Sequence, residues 1–310
     1  IAGVAGIGGH PRLQSLIDRA RALSALPTAV VFPCEQSSLQ AAVQAAHHGL
    51  ISAVYYGPET KIRELADRLN ITLVGDFIDT GETPLSAARQ AVADAVRGRT
   101  RALMKGSLHT DELLTAVVAR DAGLRGASRI THTFVFDIPR YDRLLALSDA
   151  VINIAPDVRT KADAIVNACQ MLRALDVPRP RVAIAAAVET VNPAIAATLD
   201  AQELVALARA GSFGDAVVEG PMGLDVAMSG RAAQIKGLQS EVAGRPDLVL
   251  VPDLNAGNIL YKSLVYMAGA ECAGVVQGAK LPVILTSRAD SAFSRMASCA
   301  LASILVEKGT

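Results

Sequence analysis

Along most of the chain, short continuous apolar runs alternate with longer stretches whose apolar positions recur at helical spacing. After a leading IAGVAGIGG, the spacing predicts a helix over Arg12 to Ala25 and a strand over Thr28 to Phe32. Helix and strand then follow in turn: Ser37 to His48, Ala53 to Tyr56, Glu59 to Leu69, Ile71 to Val74, Leu85 to Val96 and Arg101 to Met104. Gly49 and Gly57-Pro58 punctuate them. Up to about Gly126 the pattern reads as one doubly wound α/β unit. A second round has strands expected at Thr131 to Phe136, Ala150 to Ile154, Val182 to Ala187 and Ala216 to Val218, with helices at Lys161 to Leu175, Ala201 to Ala210 and Leu224 to Lys236.

The stretch from Asp247 to Ser298 is the most informative. Leu248 to Val251, Ala273 to Val276 and Pro282 to Thr286 are continuously apolar, which is the pattern of buried parallel strands. Pro-Asp-Leu-Asn-Ala-Gly-Asn follows the first, so Asp253, Asn255, Gly257 and Asn258 stand where a strand's carboxyl end meets a helix N-terminus, a place suited to anions. Ser287-Arg288-Ala289-Asp290 follows the last and leads into a helical pattern. Similar polar turns end the other strands: Lys105-Gly106-Ser107, Asp137-Ile-Pro139, Ala155-Pro-Asp157, Glu189 to Pro193 and Glu219 to Asp225. Open α/β sheets bind ligands outside their carboxyl edge, so these loops are expected to converge on one cleft.

Composition narrows the class. Lys plus Arg and Asp plus Glu are each 30, which leaves no net charge and no basic face for nucleic acid. Any anionic ligand must therefore be held by local charges. Aromatic residues make up 4% of the chain and Trp is absent, which suits helices layered on a β-branched sheet. Cys34, Cys169, Cys272 and Cys299 are far apart and lie near no histidine at ligand spacing, so neither a zinc site nor a disulfide framework is expected. Cys169 and Cys299 fall on apolar helix faces. The setting expected is reducing and cytoplasmic, without a membrane segment. The start at Ile1 rather than Met is compatible with a missing tag or upstream domain.

The stretches VETVNP (188 to 193), EGPMGLD (219 to 225), AGRPDLVLVPDLNAGN (243 to 258) and LPVILTSRADS (281 to 291) together resemble the phosphate acetyl/butyryltransferase family, or phosphotransacetylases, from about Lys105 to the C-terminus. Lys105-Gly106 with SRADS is closer to the butyryltransferase-type or hydratase-fused branch. The resemblance implies two α/β domains with an interdomain cleft, an architecture like that of isocitrate and isopropylmalate dehydrogenases. Domain I would comprise 1–127 plus 283–310, and domain II 128–282. It also implies a homodimer and a metal-free reaction in which an acetyl or butyryl group passes between coenzyme A and phosphate. No tightly bound cofactor is expected, since CoA is a substrate.

In that family the serine of the SR pair hydrogen-bonds the reacting centre and the arginine binds an anionic group, which assigns those roles to Ser287 and Arg288. A hydroxyl placed at a developing oxyanion and a guanidinium matched to phosphate suit acyl transfer. In acetyl-type members the presumed base is a carboxylate at the position held here by Ser294, which cannot serve. Asp290 is the substitute, lying on the face of Ser287 if a helix covers both. Leu113, Leu114 and Ala116 occupy the region of a phosphate-binding arginine, and Lys105 is expected to replace its charge. Asn255, Asn258 and Gly257 complete the candidate set.

Ser287-x-x-Asp290 is also a capping arrangement, and Asp253 to Asn258 also suits a plain turn. Glu189, Asn192 and Asp225 read as loop caps and the five histidines as surface or satisfied positions, with His109 alone worth a mutant. Two rival functions remain: a CoA-binding protein that has lost catalysis, for which Ser294 speaks, and a metal- and nucleotide-dependent dehydrogenase. The second needs clustered aspartates on one helix or a glycine-rich dinucleotide turn after a strand, and the chain has neither.

Overall fold

The computed structural model describes residues 9–285, 287 and 289–309. Helices and strands alternate through the first part of the chain: α1 Pro11–Arg21, β1 Leu26–Val31, α2 Gln36–His47, β2 Ile51–Gly57, α3 Glu59–Arg68, β3 Asp76–Asp79, α4 Pro84–Val96, β4 Ala102–Lys105 and α5 Thr110–Val118. The middle holds β5 Thr131–Asp137, β6 Leu144–Ser148, α6 Val158–Ala174, β7 Arg181–Ala185, α7 Ala196–Arg209, β8 Val217–Met222, α8 Leu224–Met228, α9 Gly230–Ile235, β9 Leu248–Leu250 and α10 Leu254–Tyr266. β10 Glu271–Gln277, β11 Val283–Ile284 and α11 Ala292–Glu307 complete the chain. This is the α/β class expected from the sequence. No helix among the described residues is long and apolar enough to cross a membrane.

Two compact units result. The first comprises Leu13–Ala127 and the described residues from Ala273 onward, and the second comprises Ser128–Cys272 and the described residues before Leu13.

In the first unit the strand order is β3-β2-β1-β4-β11-β10. β1 pairs in parallel with β2 on one side and with β4 on the other, so the winding reverses between β1 and β4. Such a reversal opens a crevice at the carboxyl ends of the two strands. β11 lies beside β4 in parallel, Ile284 opposite Met104. β3 falls at Asp76–Asp79 and not at Ile71 to Val74, because an edge strand paired only with β2 is half exposed and needs no continuous apolar run.

In the second unit the order is β5-β6-β9-β7-β8, with β6, β9, β7 and β8 parallel. The expected strand over Ala150 to Ile154 is instead a turn: Asp149 Oδ1 accepts the amides of Val151 and Ile152 at 2.9 and 3.0 Å. The strand is the preceding Leu144–Ser148. The helix expected over Leu224 to Lys236 is broken at Ser229, whose hydroxyl caps α9 by accepting the Ala232 amide. A uniformly parallel set is also corrected, since β5 runs antiparallel to β6 and β10 antiparallel to β11. Only residues 138–143 and 278–282 connect these pairs, and a parallel crossover needs about a dozen residues or more.

Candidate active site

The first unit positions Lys105 and Ser287 on one edge. Lys105 ends β4 and Ser287 follows β11, whose register puts Ile284 opposite Met104. Both residues therefore follow the carboxyl ends of adjacent parallel strands, Lys105 as the last residue of β4 and Ser287 three residues beyond the end of β11. The Lys105 loop is held tightly. The Gly106 amide donates to the Val31 carbonyl at 2.8 Å, and the Ser107 amide and hydroxyl donate to the Phe32 carbonyl at 2.9 and 2.7 Å. A Cβ on Gly106 would stand 2.2 Å from the Val31 oxygen, so only glycine allows this approach. Lys105 Nζ donates to the Gly106 and Leu108 carbonyls at 3.2 and 3.0 Å, which fixes a cation at the mouth of the crevice.

Ser287 is exposed and Asp290 half-buried. Contrary to the expectation from the sequence, they do not share a helix: α11 starts at Ala292 with Ser291 as its N-cap, accepting the Ser294 amide at 3.0 Å. They form a turn instead. Asp290 Oδ2 accepts the Ser287 amide at 2.6 Å, and Ser287 Oγ accepts the Ala289 amide at 3.2 Å. The capping reading of Ser-x-x-Asp is therefore half realised, ahead of the helix. Arg288, the expected anion binder, lies outside the described residues, as does Thr286 at the end of the expected strand. Ser294 is buried in the first turn of α11.

Asn255, Gly257 and Asn258 belong to the second unit, at the start of α10. Asp253 caps that helix, its Oδ1 accepting the Ala256 amide at 2.9 Å. Asn255 is exposed and Asn258 half-buried. Gly257 is buried, and a Cβ there would lie 2.9 Å from the Ala150 Cα and the Asp149 carbonyl oxygen. Close packing alone accounts for that glycine.

The other motif loops are tied to each other. Lys236 Nζ bridges Glu189 and Asp225, each at 2.9 Å, which holds the Asp225 carboxyl below its usual range. Asn192 Oδ1 accepts the Ala194 amide at 2.9 Å as a turn cap. His109 serves as N-cap residue of α5, its amide donating to Glu112 Oε2 at 2.8 Å.

His132 departs from the surface or satisfied position expected of it, and Arg295 was not singled out from the sequence. His132, in β5, is buried, its Nδ1 has no hydrogen-bond partner, and its ring meets Phe134 edge-on at 4.4 Å. Burial pushes its pKa down to about 4, against the opposing pull of Asp149. The Thr-His-Thr opening of an otherwise apolar strand was the available signal. Arg295 in α11 donates from Nη2 to the Ser287 carbonyl at 3.3 Å. Its signal was a cation in the first turn of a helix. Burial pushes the Cys169 and Cys299 thiols up to about 12, as suits core positions. Among the described residues no group of three or more His, Cys, Asp or Glu is placed to hold a metal ion.

A family model described as "Phosphate acetyl/butaryl transferase" matches residues 82–303. The chain belongs to that family. It is 44% identical over 294 residues to the phosphate acetyltransferase of Rhizobium meliloti, covering 94% of this chain and 93% of that one. The probable phosphate butyryltransferase of Bacillus subtilis is 39% identical over 299 residues, covering 96% and 99%. A branched-chain phosphotransacylase from Enterococcus faecalis V583 has a similar crystal structure, with a TM-score of 0.77 at 26% identity, covering 91% of this chain and 99% of that one.

Proposed function

We infer that the protein is an acyltransferase that moves a short acyl group reversibly between coenzyme A and inorganic phosphate. Family membership across residues 82–303 carries this reading. Consumption of CoA thiol in the presence of an acyl phosphate tests it.

In the proposed mechanism both substrates are bound together and transfer is direct. The CoA sulfur attacks the acyl phosphate carbonyl as the thiol proton passes to Asp290. A tetrahedral oxyanion forms, and its collapse expels phosphate and leaves acyl-CoA. Ser287 stabilises that oxyanion by donating a hydrogen bond from its hydroxyl, which keeps its proton. In support, Ser287 Oγ already accepts the Ala289 amide, which pins the oxygen while its own proton stays available for donation. One such donor contributes about 10²-fold or more in rate. Lys105 and Arg288 supply positive charge for phosphate, Arg288 as a planar fork. Holding two reactants together removes up to about 7–11 kcal/mol of barrier.

The protein is further proposed to be cytoplasmic, its four cysteines being free thiols, and homodimeric. In support of the dimer, Gly257 is the one buried residue of α10, and Ile259, Tyr266 and the following Met267 are 67%, 71% and 85% exposed. Apolar side chains grouped on one helix suit an interface.

A further inference from the structure

The turn from Ser287 to Asp290 is closed by bonds among its own residues. Besides the two side-chain bonds already described, the Asp290 amide donates to the Ser287 carbonyl at 3.2 Å. Such local bonds fix the shape of a turn but not its placement on the fold. The bond from Arg295 Nη2 to the Ser287 carbonyl comes from outside the turn. That carbonyl therefore accepts twice, which occupies both lone pairs and constrains the backbone carrying the Ser287 side chain.

Arg295 stands on a fixed base. From Ala297 to Leu305 every residue of α11 is buried. Ser298 Oγ accepts the Gly274 amide of β10 at 3.0 Å and donates to the Ser294 carbonyl at 3.0 Å, which anchors the start of the helix to the sheet. Yet the positive end of a helix disfavours a cation. A residue kept against such a local preference marks a site where something else is gained.

We propose that Arg295 is a positioning residue for Ser287: by holding the Ser287 carbonyl it sets the direction in which the serine hydroxyl donates, without itself touching the substrates. This rests on Ser287 as donor to the oxyanion. Displacing a catalytic group by about 1 Å costs on the order of 10²-fold, so loss of the tether should be read mainly in kcat.

The test is steady-state kinetics on the full chain for Ser287→Ala, Arg295→Ala, Arg295→Lys and the double alanine variant. Arg295→Ala should lower kcat about 10-fold or more while the KM for acyl phosphate changes less than about 2-fold. Arg295→Lys keeps a cationic donor and should recover most of the rate. The double variant should be no slower than Ser287→Ala, because a residue that acts through another adds nothing once the other is gone. The proposal is overturned by an unchanged kcat in Arg295→Ala, by a raised KM at constant kcat, or by losses that multiply in the double variant. A wild-type rate in Ser287→Ala would instead remove the serine assignment itself, a separate outcome. If Arg295→Ala does not fold, Arg295→Gln, which keeps an amide donor, takes its place in the same comparison.

Discussion

Ser287 accepts an amide through Oγ while Asp290 accepts the Ser287 amide, so one carboxylate both shapes the serine's turn and stands closest in sequence as a proton acceptor. The two roles separate experimentally. Asp290→Asn keeps a carbonyl oxygen for the Ser287 amide, so if Asp290 is the base the variant should lose the low-pH limb of the kcat/KM profile, where a carboxylate base is silenced by protonation; a cap alone would leave its shape unchanged. Ser287→Ala should lose about 10²-fold in kcat while CoA still binds, measured by calorimetry alongside the rate. His132 gives a pH effect on stability. Its folded pKa, about 4, lies below the ordinary 6.5, so below that value the unfolded chain binds the proton first and stability falls with pH until about 4. Between about pH 7.5 and 5, wild type should lose about 2 kcal/mol more unfolding free energy in urea than His132→Phe; equal losses would exclude the imidazole as the cause. The proposal of Ser287 came from its resemblance to the family's SR pair, but the geometry around it was not legible. Both Ser287-x-x-Asp290 and Ser291-x-x-Ser294 can start a helix, and only the fold shows that the second does.

At the scale of elements, the paired helices and parallel strands of the first unit follow the hydrophobic pattern to within a few residues, apart from β3. The errors have physical causes. β3 is a polar edge, β6 sits just upstream of the apolar Ala150 to Ile154, and β5 and β10 share the apolar signature of parallel strands although their short links demand hairpins. Link length, readable in the sequence, outranks apolarity in deciding strand direction. Gly257 tests how α10 is seated. Gly257→Ala should cost about 1–3 kcal/mol in urea unfolding, since its Cβ would press on backbone atoms at 2.9 Å; an unchanged midpoint with weaker CoA binding would make the glycine a ligand position instead. Met267→Glu, on the exposed end of α10, should shift the sedimentation of a dimer toward monomer, and an unaltered dimer would place the interface elsewhere.

For the whole molecule, zero net charge leaves phosphate affinity to a few placed cations. Lys105 is the one proposed for that role, and its ammonium is held by two carbonyls at the point where the first unit's winding reverses. Four motif stretches made the family legible before any fold was known, whereas the acyl chain was not: relatives named for acetyl and for butyryl transfer are both similar over nearly the full chain. The measurement closest to the central claim follows free thiol while CoA is supplied first with acetyl phosphate and then with butyryl phosphate. Thiol should disappear with at least one of them, and the ratio of the two rates gives the preferred acyl group. A thiol level that stays constant with both would contradict the assignment of this chain as a phosphate acyltransferase.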